Sequence, residues 1–252
     1  MRESKSSIRH RGIYLLPNLF TTGAMFAGFY AVTSAINGRF ETAAIAIFVA
    51  MILDGLDGRV ARLTHTQSQF GVEYDSLSDM VSFGLAPALV MYLWALEDLG
   101  KLGLFAAFVH TAGGALRLAR FNTQVEVADR RYFQGLPSPA AAAILAGGLW
   151  MSLEYNYDVN AIRYMVLLLT ISTGLLMVSN FRYYSFKEID FKNRVPFVVV
   201  IFAMLIISFV FVQAEIMLFL LATSYAISGP VITLFILRQR RKNRKQDLGA
   251  GS

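Results

Sequence analysis

The chain has 252 residues, of which 56% are hydrophobic and 16% charged, and its mean hydropathy is +0.51. A soluble globular domain is roughly 45–50% apolar, so this composition excludes an ordinary soluble protein. The formal net charge is +6, and the lack of cysteine excludes disulfides, thiolate nucleophiles and cysteine-ligated metals. The apolar residues recur in runs of helical length, which predicts an all-α, polytopic integral membrane protein.

Eight membrane spans are predicted, separated by Gly, Pro and charged residues. In chain order they cover 16–36, 40–62, 74–96, 102–121, 139–155, 164–179, 195–212 and 215–237. A cleaved signal peptide is the alternative for the basic start and the first apolar run. That run is too long for a signal sequence and more spans follow, so we expect it to be retained. We expect one membrane-embedded domain over 1–252, ending in a basic tail over 238–252.

The basic residues predict the orientation of the spans. With the N-terminus inside the cell, all but three of the 23 Lys and Arg residues lie in inside segments; the exceptions are Arg39, Lys101 and Arg163. Cytoplasmic segments carry such an excess of basic residues. We therefore expect eight spans with both termini in the cytoplasm of an inner membrane. Because the basic residues follow this topology, they give no indication of nucleic-acid binding.

Four aspartates lie at the cytoplasmic join between the second and third spans. Asp54 and Asp57 are three residues apart and Asp75 and Asp79 are four apart, so each pair shares one face of a helix. A hairpin of the two helices would bring the pairs together. Clustered carboxylates repel one another unless cations lie between them, and their oxygens are the ligands that hard divalent cations prefer. The spacing therefore predicts a site for two divalent ions, Mg2+ or Mn2+.

Small residues and an arginine accompany the aspartates. Gly58, Ala61 and Gly71 would let a nucleotide or phosphate approach the backbone closely. Arg62 carries a bidentate fork suited to phosphate. Helix packing is the alternative for each glycine alone, and topology marking is the alternative for Arg62. Together with four aspartates, these residues favour a phosphate-binding active site.

The pattern D-x2-D-G-x2-A-R-x8-G-x3-D-x3-D over 54–79 resembles the signature of the CDP-alcohol phosphotransferase family at every fixed position. The resemblance implies a six-helix membrane core, here about 13–180, with additional helices over about 195–237. It implies a dinuclear metal site facing the cytoplasm and a homodimer. The implied reaction moves a substituted phosphate from a CDP-linked donor to an alcohol and releases CMP.

The same resemblance implies roles for individual residues. Asp54, Asp57 and Asp75 would be metal ligands, and Asp79 would be both a ligand and the general base towards the attacking hydroxyl. The CDP site would be lined by Gly58, Ala61, Arg62 and Gly71. Asn18 in the first span is a candidate to hydrogen-bond the cytidine or a phosphate, with a helix N-cap as the alternative.

Segments outside the signature resemble the branch of the family that uses CDP-diacylglycerol and L-serine to make phosphatidylserine. They lie at 17–21, 75–84, 117–122 and 132–139. The carboxylate of serine needs a cation. Arg117 and Arg120, with the amide of Asn122, are the candidates for acceptor binding. Positive-inside anchoring is the alternative for the arginines, and Arg130 and Arg131 are weaker candidates.

Two other functions remain open at this point. Another branch of the same family would use a different acceptor, such as glycerol phosphate, inositol or choline. An ion-coupled transporter would also place carboxylates at membrane depth, but here the acids cluster at one join and the second half has no matching acids, which disfavours transport. Neither His65, in a loop, nor His110, in the fourth span, is expected to be catalytic. We expect His110 to be packed or hydrogen-bonded.

Overall fold

The computed structural model describes residues 3–64, 66, 68–124, 132–184, 204 and 212–249. Its longer elements are α1 (Glu3–Ile36), α2 (Phe40–Leu63), α3 (Gln69–Asp79), α4 (Ala86–Met91), α5 (Lys101–Gln124), α6 (Ser138–Glu154), α7 (Val159–Val178), α8 (Ala214–Gly249), β1 (Tyr132–Gln134) and β2 (Arg182–Tyr184). Between α3 and α5, π-helical turns at Met80–Leu85 and Tyr92–Leu96 and a 3-10 turn at Glu97–Leu99 continue the helical path. The predicted helical architecture is thus confirmed in the described part of the chain.

Within the described residues, five helical stretches are long and apolar enough to cross a membrane. They are Leu16–Ile36, Gln69–Leu99, Lys101–Thr123, Val159–Val178 and Ala214–Phe235. Large apolar side chains such as Phe26, Phe108 and Leu168 are exposed on their outer faces. Acyl chains cover such surfaces in a bilayer, so the chain is a helical integral membrane protein.

Two further predicted spans are helical but have features that weaken a spanning role. The helix α2 carries several charged residues towards its end, and α6 has only 17 residues. The predicted span 195–212 lies outside the described residues except for two positions, and His65, Arg130 and Arg131 lie outside them as well. The count of eight spans, the single domain and the cytoplasmic termini therefore stay predictions.

The helices α1 and α2 pack along faces of small side chains. Alanines recur every three or four residues on α1 and meet alanines and an isoleucine on α2, all of them buried. The residues are Ala27, Ala31, Ala35, Ala43, Ala44, Ile47 and Ala50. In a bilayer, helix association depends on van der Waals packing, and small side chains allow the closest approach. The contact fixes the part of α2 that leads into Asp54 and Asp57.

The π-helical turn Met80–Leu85 has a local cause in Pro87. Proline has no N–H and its ring clashes with the carbonyl four residues earlier, so Phe83 O loses its helical donor. The ring of His110 on α5 takes this place, with Nε2 3.2 Å from Phe83 O and Nδ1 2.8 Å from Thr173 Oγ1. His110 is completely buried, so its predicted packing and hydrogen-bonding role is confirmed.

The antiparallel pair of β1 and β2 is an addition that was not predicted from the sequence. Phe133 pairs with Tyr183 at its centre. The pairing continues into neighbouring backbone contacts, where Gly135 N donates to Phe181 O at 2.9 Å. The two segments lie between helices and lack the alternation of apolar and polar residues that would predict a strand. They become strands because the entry to α6 and the exit from α7 lie side by side, where the backbone groups of each segment need partners.

Candidate active site

Three of the four predicted aspartates meet where the chain passes from α2 to α3. Asp54 and Asp57 occupy one turn of α2, and Asp75 lies on α3. Each offers a carboxylate oxygen, and these oxygens lie within 4.8 Å of one another. The helical hairpin predicted from the spacing therefore does bring the first pair of acids together with Asp75 of the second.

Asp79 lies beside this triad, at the last residue of α3. Its charge interacts with those of Asp54 and Asp75. Among the described residues, no hydrogen-bond partner is present for its buried Oδ1 atom. A buried carboxylate oxygen is stable only with a donor or a cation beside it. Because every ligand atom here is a carboxylate oxygen, the residues fit a hard divalent cation.

Thr21 on α1 is a site residue that the sequence did not single out. Its Oγ1 donates to Asp57 Oδ2 at 2.7 Å, and Asp57 is only 5% exposed. Groups that hydrogen-bond a metal-binding carboxylate orient it for the metal. Thr21 lies in the 17–21 segment already noted for its resemblance, which was the only signal available. Its contact with Asp57 depends on how α1 packs against α2.

Replacing Thr21 with valine should weaken the orientation of Asp57 without changing the volume of the side chain. We expect the Mg2+ or Mn2+ concentration needed for half-maximal activity to rise about tenfold, the lower end of the usual effect of such partners. Metal titration of CMP release measures this. Thr33→Val is the matched control, because the Thr33 hydroxyl bonds only Tyr30 O on the same helix among the described contacts. An equal shift in both variants would contradict the role of Thr21.

The residues predicted to line the CDP site fall on two sides of the aspartates. Asn18 lies inside α1 and not at its start, so the alternative of a helix N-cap is wrong. A Cβ atom placed on Gly71 would lie 3.7 Å from Asn18 Oδ1, so these two residues are neighbours. On α2, a Cβ on Gly58 would lie 3.6 Å from Arg62 Nη1. Ala61 is half-buried on the same helix.

The two arginines predicted for the acceptor differ in their surroundings. Arg117 is buried, and its charge interacts with those of Asp79 and Asp54. Its Nη1 donates to Ser138 Oγ at 2.9 Å, whereas its Nε has no hydrogen-bond partner within the described part of the chain. Arg120 is half-buried, and its Nη1 donates to Ser179 O at 3.4 Å. Arg117 is thus buried close enough to Asp79 and Asp54 for their charges to interact, which anchoring to the membrane surface alone would not require.

Asn122 is engaged in contacts between α5 and α3. Its Nδ2 donates to Ser76 Oγ at 3.1 Å and to Glu73 Oε2 at 3.4 Å. Ser76 directly follows Asp75 in the chain, so Asn122 holds the helix that carries two of the aspartates. The structure therefore gives Asn122 a contact that the sequence prediction of acceptor binding did not include.

A sequence model of the CDP-alcohol phosphatidyltransferase family matches residues 14–178, which include every predicted site residue. The chain belongs to this family. Membership makes it a phosphatidyl-transferring enzyme, as the resemblance of the signature implied, and the alternative of an ion-coupled transporter is excluded. The strand β2 and the helix α8 lie beyond the matched residues.

Several relatives of this CDP-alcohol phosphatidyltransferase carry the same name. The CDP-diacylglycerol–serine O-phosphatidyltransferase of Helicobacter pylori is 37% identical over 225 residues, which are 89% of this chain and 93% of the relative. The protein of that name from Bacillus subtilis is 34% identical and covers 71% of this chain and 94% of its own length. The one from Methanocaldococcus jannaschii is 43% identical over 54% of this chain and 61% of its own length.

Proposed function

We propose that the chain transfers the phosphatidyl group of CDP-diacylglycerol to the hydroxyl of L-serine, giving phosphatidylserine and CMP. One observation carries the choice of acceptor: the similarity to the Helicobacter pylori serine enzyme extends over 89% of this chain. The site supports it with an acidic cluster for a metal-bound pyrophosphate and a buried arginine beside that cluster.

The proposed chemistry is a single in-line displacement. Asp79 takes the proton from the serine hydroxyl, whose oxygen then forms a bond to the phosphorus that carries the diacylglycerol. The bond between that phosphorus and the CMP oxygen breaks, and CMP leaves. Two divalent ions, Mg2+ or Mn2+, held by the four aspartates would neutralise the charge of the pyrophosphate when bound. A covalent enzyme intermediate is not needed.

The CDP part of the donor would lie against the small residues and the polar side chains flanking the aspartates. The proposed contacts are Asn18, Gly58, Ala61, Arg62 and Gly71. The small side chains leave room for the nucleotide beside the helix backbones. Arg62 is exposed on α2, where its guanidinium is free to meet a phosphate of the donor or of the departing CMP.

The acceptor would be held by its carboxylate. Arg117 Nη1 donates to Ser138, and Arg117 Nε has no hydrogen-bond partner among the described residues, so one edge of the guanidinium is available there for bidentate binding. Arg120, one turn further along α5, and the amide of Asn122 complete the proposed acceptor side. Because the charges of Arg117 and Asp79 interact, a serine carboxylate on Arg117 would have its hydroxyl on the side of the base.

This chemistry would take place at the cytoplasmic face of an inner membrane. CDP-diacylglycerol would enter from the inner leaflet with its acyl chains remaining in the lipid. The excess of basic residues in the predicted inside segments supports this orientation. The protein would have eight spans with both termini in the cytoplasm, and would act as a homodimer, as the family resemblance implies.

The test of this function is release of CMP by purified protein in detergent with CDP-diacylglycerol, Mg2+ or Mn2+, and one alcohol at a time. We expect CMP only with L-serine, and no CMP after the metal is removed with EDTA. Release with glycerol phosphate, inositol or choline instead would keep the family and overturn the acceptor. Activity that persists in EDTA would contradict the proposed metal site.

A further inference from the structure

Each of the three residues of β2 forms a hydrogen bond with α8. The bonds are Arg182 N to Thr233 Oγ1 at 3.0 Å, Tyr183 OH to Ala226 O at 3.1 Å, and Tyr225 OH to Tyr184 O at 3.1 Å. On its other side β2 pairs with β1. The strand is therefore held between β1 and a helix that the family model does not include.

The ring of Tyr183 packs against α8 at Gly229. A Cβ atom on Gly229 would collide with Cζ of Tyr183, so only glycine leaves room for the ring. Pro230 has no N–H, which leaves Ala226 O without its helical donor. The hydroxyl of Tyr183 supplies that donor, and Tyr183 is completely buried. Two neighbouring residues of α8 thus accommodate Tyr183: Gly229 leaves room for its ring, and Pro230 leaves Ala226 O open to its hydroxyl.

The strand pair in turn holds the partners of both acceptor arginines. Ser138, which binds Arg117 Nη1, follows β1 by four residues, and Ser179, whose carbonyl binds Arg120 Nη1, precedes β2 by three. Backbone bonds tie these segments together, including Leu136 N to Leu176 O at 3.0 Å. A shift of β2 on α8 would therefore move the groups that orient both guanidinium groups.

We propose that α8 positions Arg117 and Arg120 for the acceptor carboxylate through the β1–β2 pair, with Tyr183 as the positioning residue. The inference rests on the proposed acceptor role of the arginines. An arginine side chain loses rotamer entropy when it is fixed in one orientation. A framework that fixes it before serine arrives lowers the cost of binding.

The first test is Tyr183→Phe, which removes the hydroxyl and keeps the ring. We expect the KM for serine to rise about two- to tenfold, the effect of one side chain that must be ordered on binding. The KM for CDP-diacylglycerol and kcat should stay within about twofold, since the lost preorganisation affects only the side of the site that binds the acceptor. Ser152→Ala is the control, because it removes a buried hydroxyl near the far end of α6.

Thr233→Val is a second variant in case Tyr183→Phe does not fold. It removes the bond from Arg182 N and leaves the buried ring in place. We expect a smaller rise in the KM for serine, about twofold, on the same grounds. An unchanged KM for serine in both folded variants, or an equal rise in the KM values of both substrates, would overturn the inference.

The double variant Tyr183→Phe with Arg117→Lys separates this inference from the function on which it rests. If Tyr183 acts through Arg117 and Arg120, Tyr183→Phe raises the KM for serine by a smaller factor in the Arg117→Lys background than in the parent protein, because coupled residues are not additive. Additive effects would overturn the positioning role and leave the acceptor site intact. An unchanged KM for serine in Arg117→Lys would overturn the acceptor assignment itself.

Discussion

Replacing Asp79 with asparagine is expected to lower kcat for phosphatidyl transfer by about a hundredfold or more, the usual contribution of a general base. Asparagine has nearly the same shape but cannot accept the proton of the serine hydroxyl. It also removes a carboxylate from the acidic cluster, so the requirement for divalent metal should rise as well. The measurement is CMP release at saturating serine and CDP-diacylglycerol, over a range of metal concentrations.

Asp98→Asn is the matched control for this prediction. Asp98 has a side chain 73% exposed and forms a surface ion pair with Arg163, away from the acidic cluster. Exposed pairs of this kind contribute about 0–1 kcal/mol to stability, so the variant should fold and turn over normally. Near-normal kcat in Asp79→Asn, with the purified protein folded, would contradict the assignment of the base.

Arg117→Lys is expected to lower kcat/KM for serine by about 10- to 150-fold. This range corresponds to the loss of about 1.5–3 kcal/mol for a hydrogen bond to a charged group. Lysine keeps the charge but has no planar fork, so it cannot bind a carboxylate bidentately or bond Ser138 in the same geometry. The KM for CDP-diacylglycerol should stay unchanged, because none of the residues proposed to contact the CDP part of the donor lies on α5.

Steady-state kinetics with each substrate varied in turn measure the two KM values separately. Arg39→Lys serves as the control, because Arg39 lies in the short join between α1 and α2, at the end of α2 away from the aspartates. A large rise in the KM for CDP-diacylglycerol, with serine unaffected, would assign Arg117 to the donor. The acceptor side would then have to be sought elsewhere.

The helices and the acidic residues could be predicted from the sequence because both depend on local spacing. The predicted second span begins at Phe40, as α2 does, and ends one residue before it. Apolar runs in a bilayer must become helices to satisfy their own backbone groups. Residues three or four apart share a helix face, so the three-residue spacing of Asp54 and Asp57 was enough to predict that they lie side by side.

The partners of these residues were decided only by the tertiary structure. Three hydrogen bonds join residues far apart in the sequence. Thr21 and Asp57 are 36 residues apart, Arg117 and Ser138 are 21 apart, and Tyr183 and Ala226 are 43 apart. The short-range spacing of residues along the sequence does not encode such contacts, since they arise from how closely and at what angle the helices pack. The sequence by itself therefore determined the kind of chemistry, through residue types and short spacings. The packing of α1, α5 and α8 decided which groups contact Asp57, Arg117 and Tyr183.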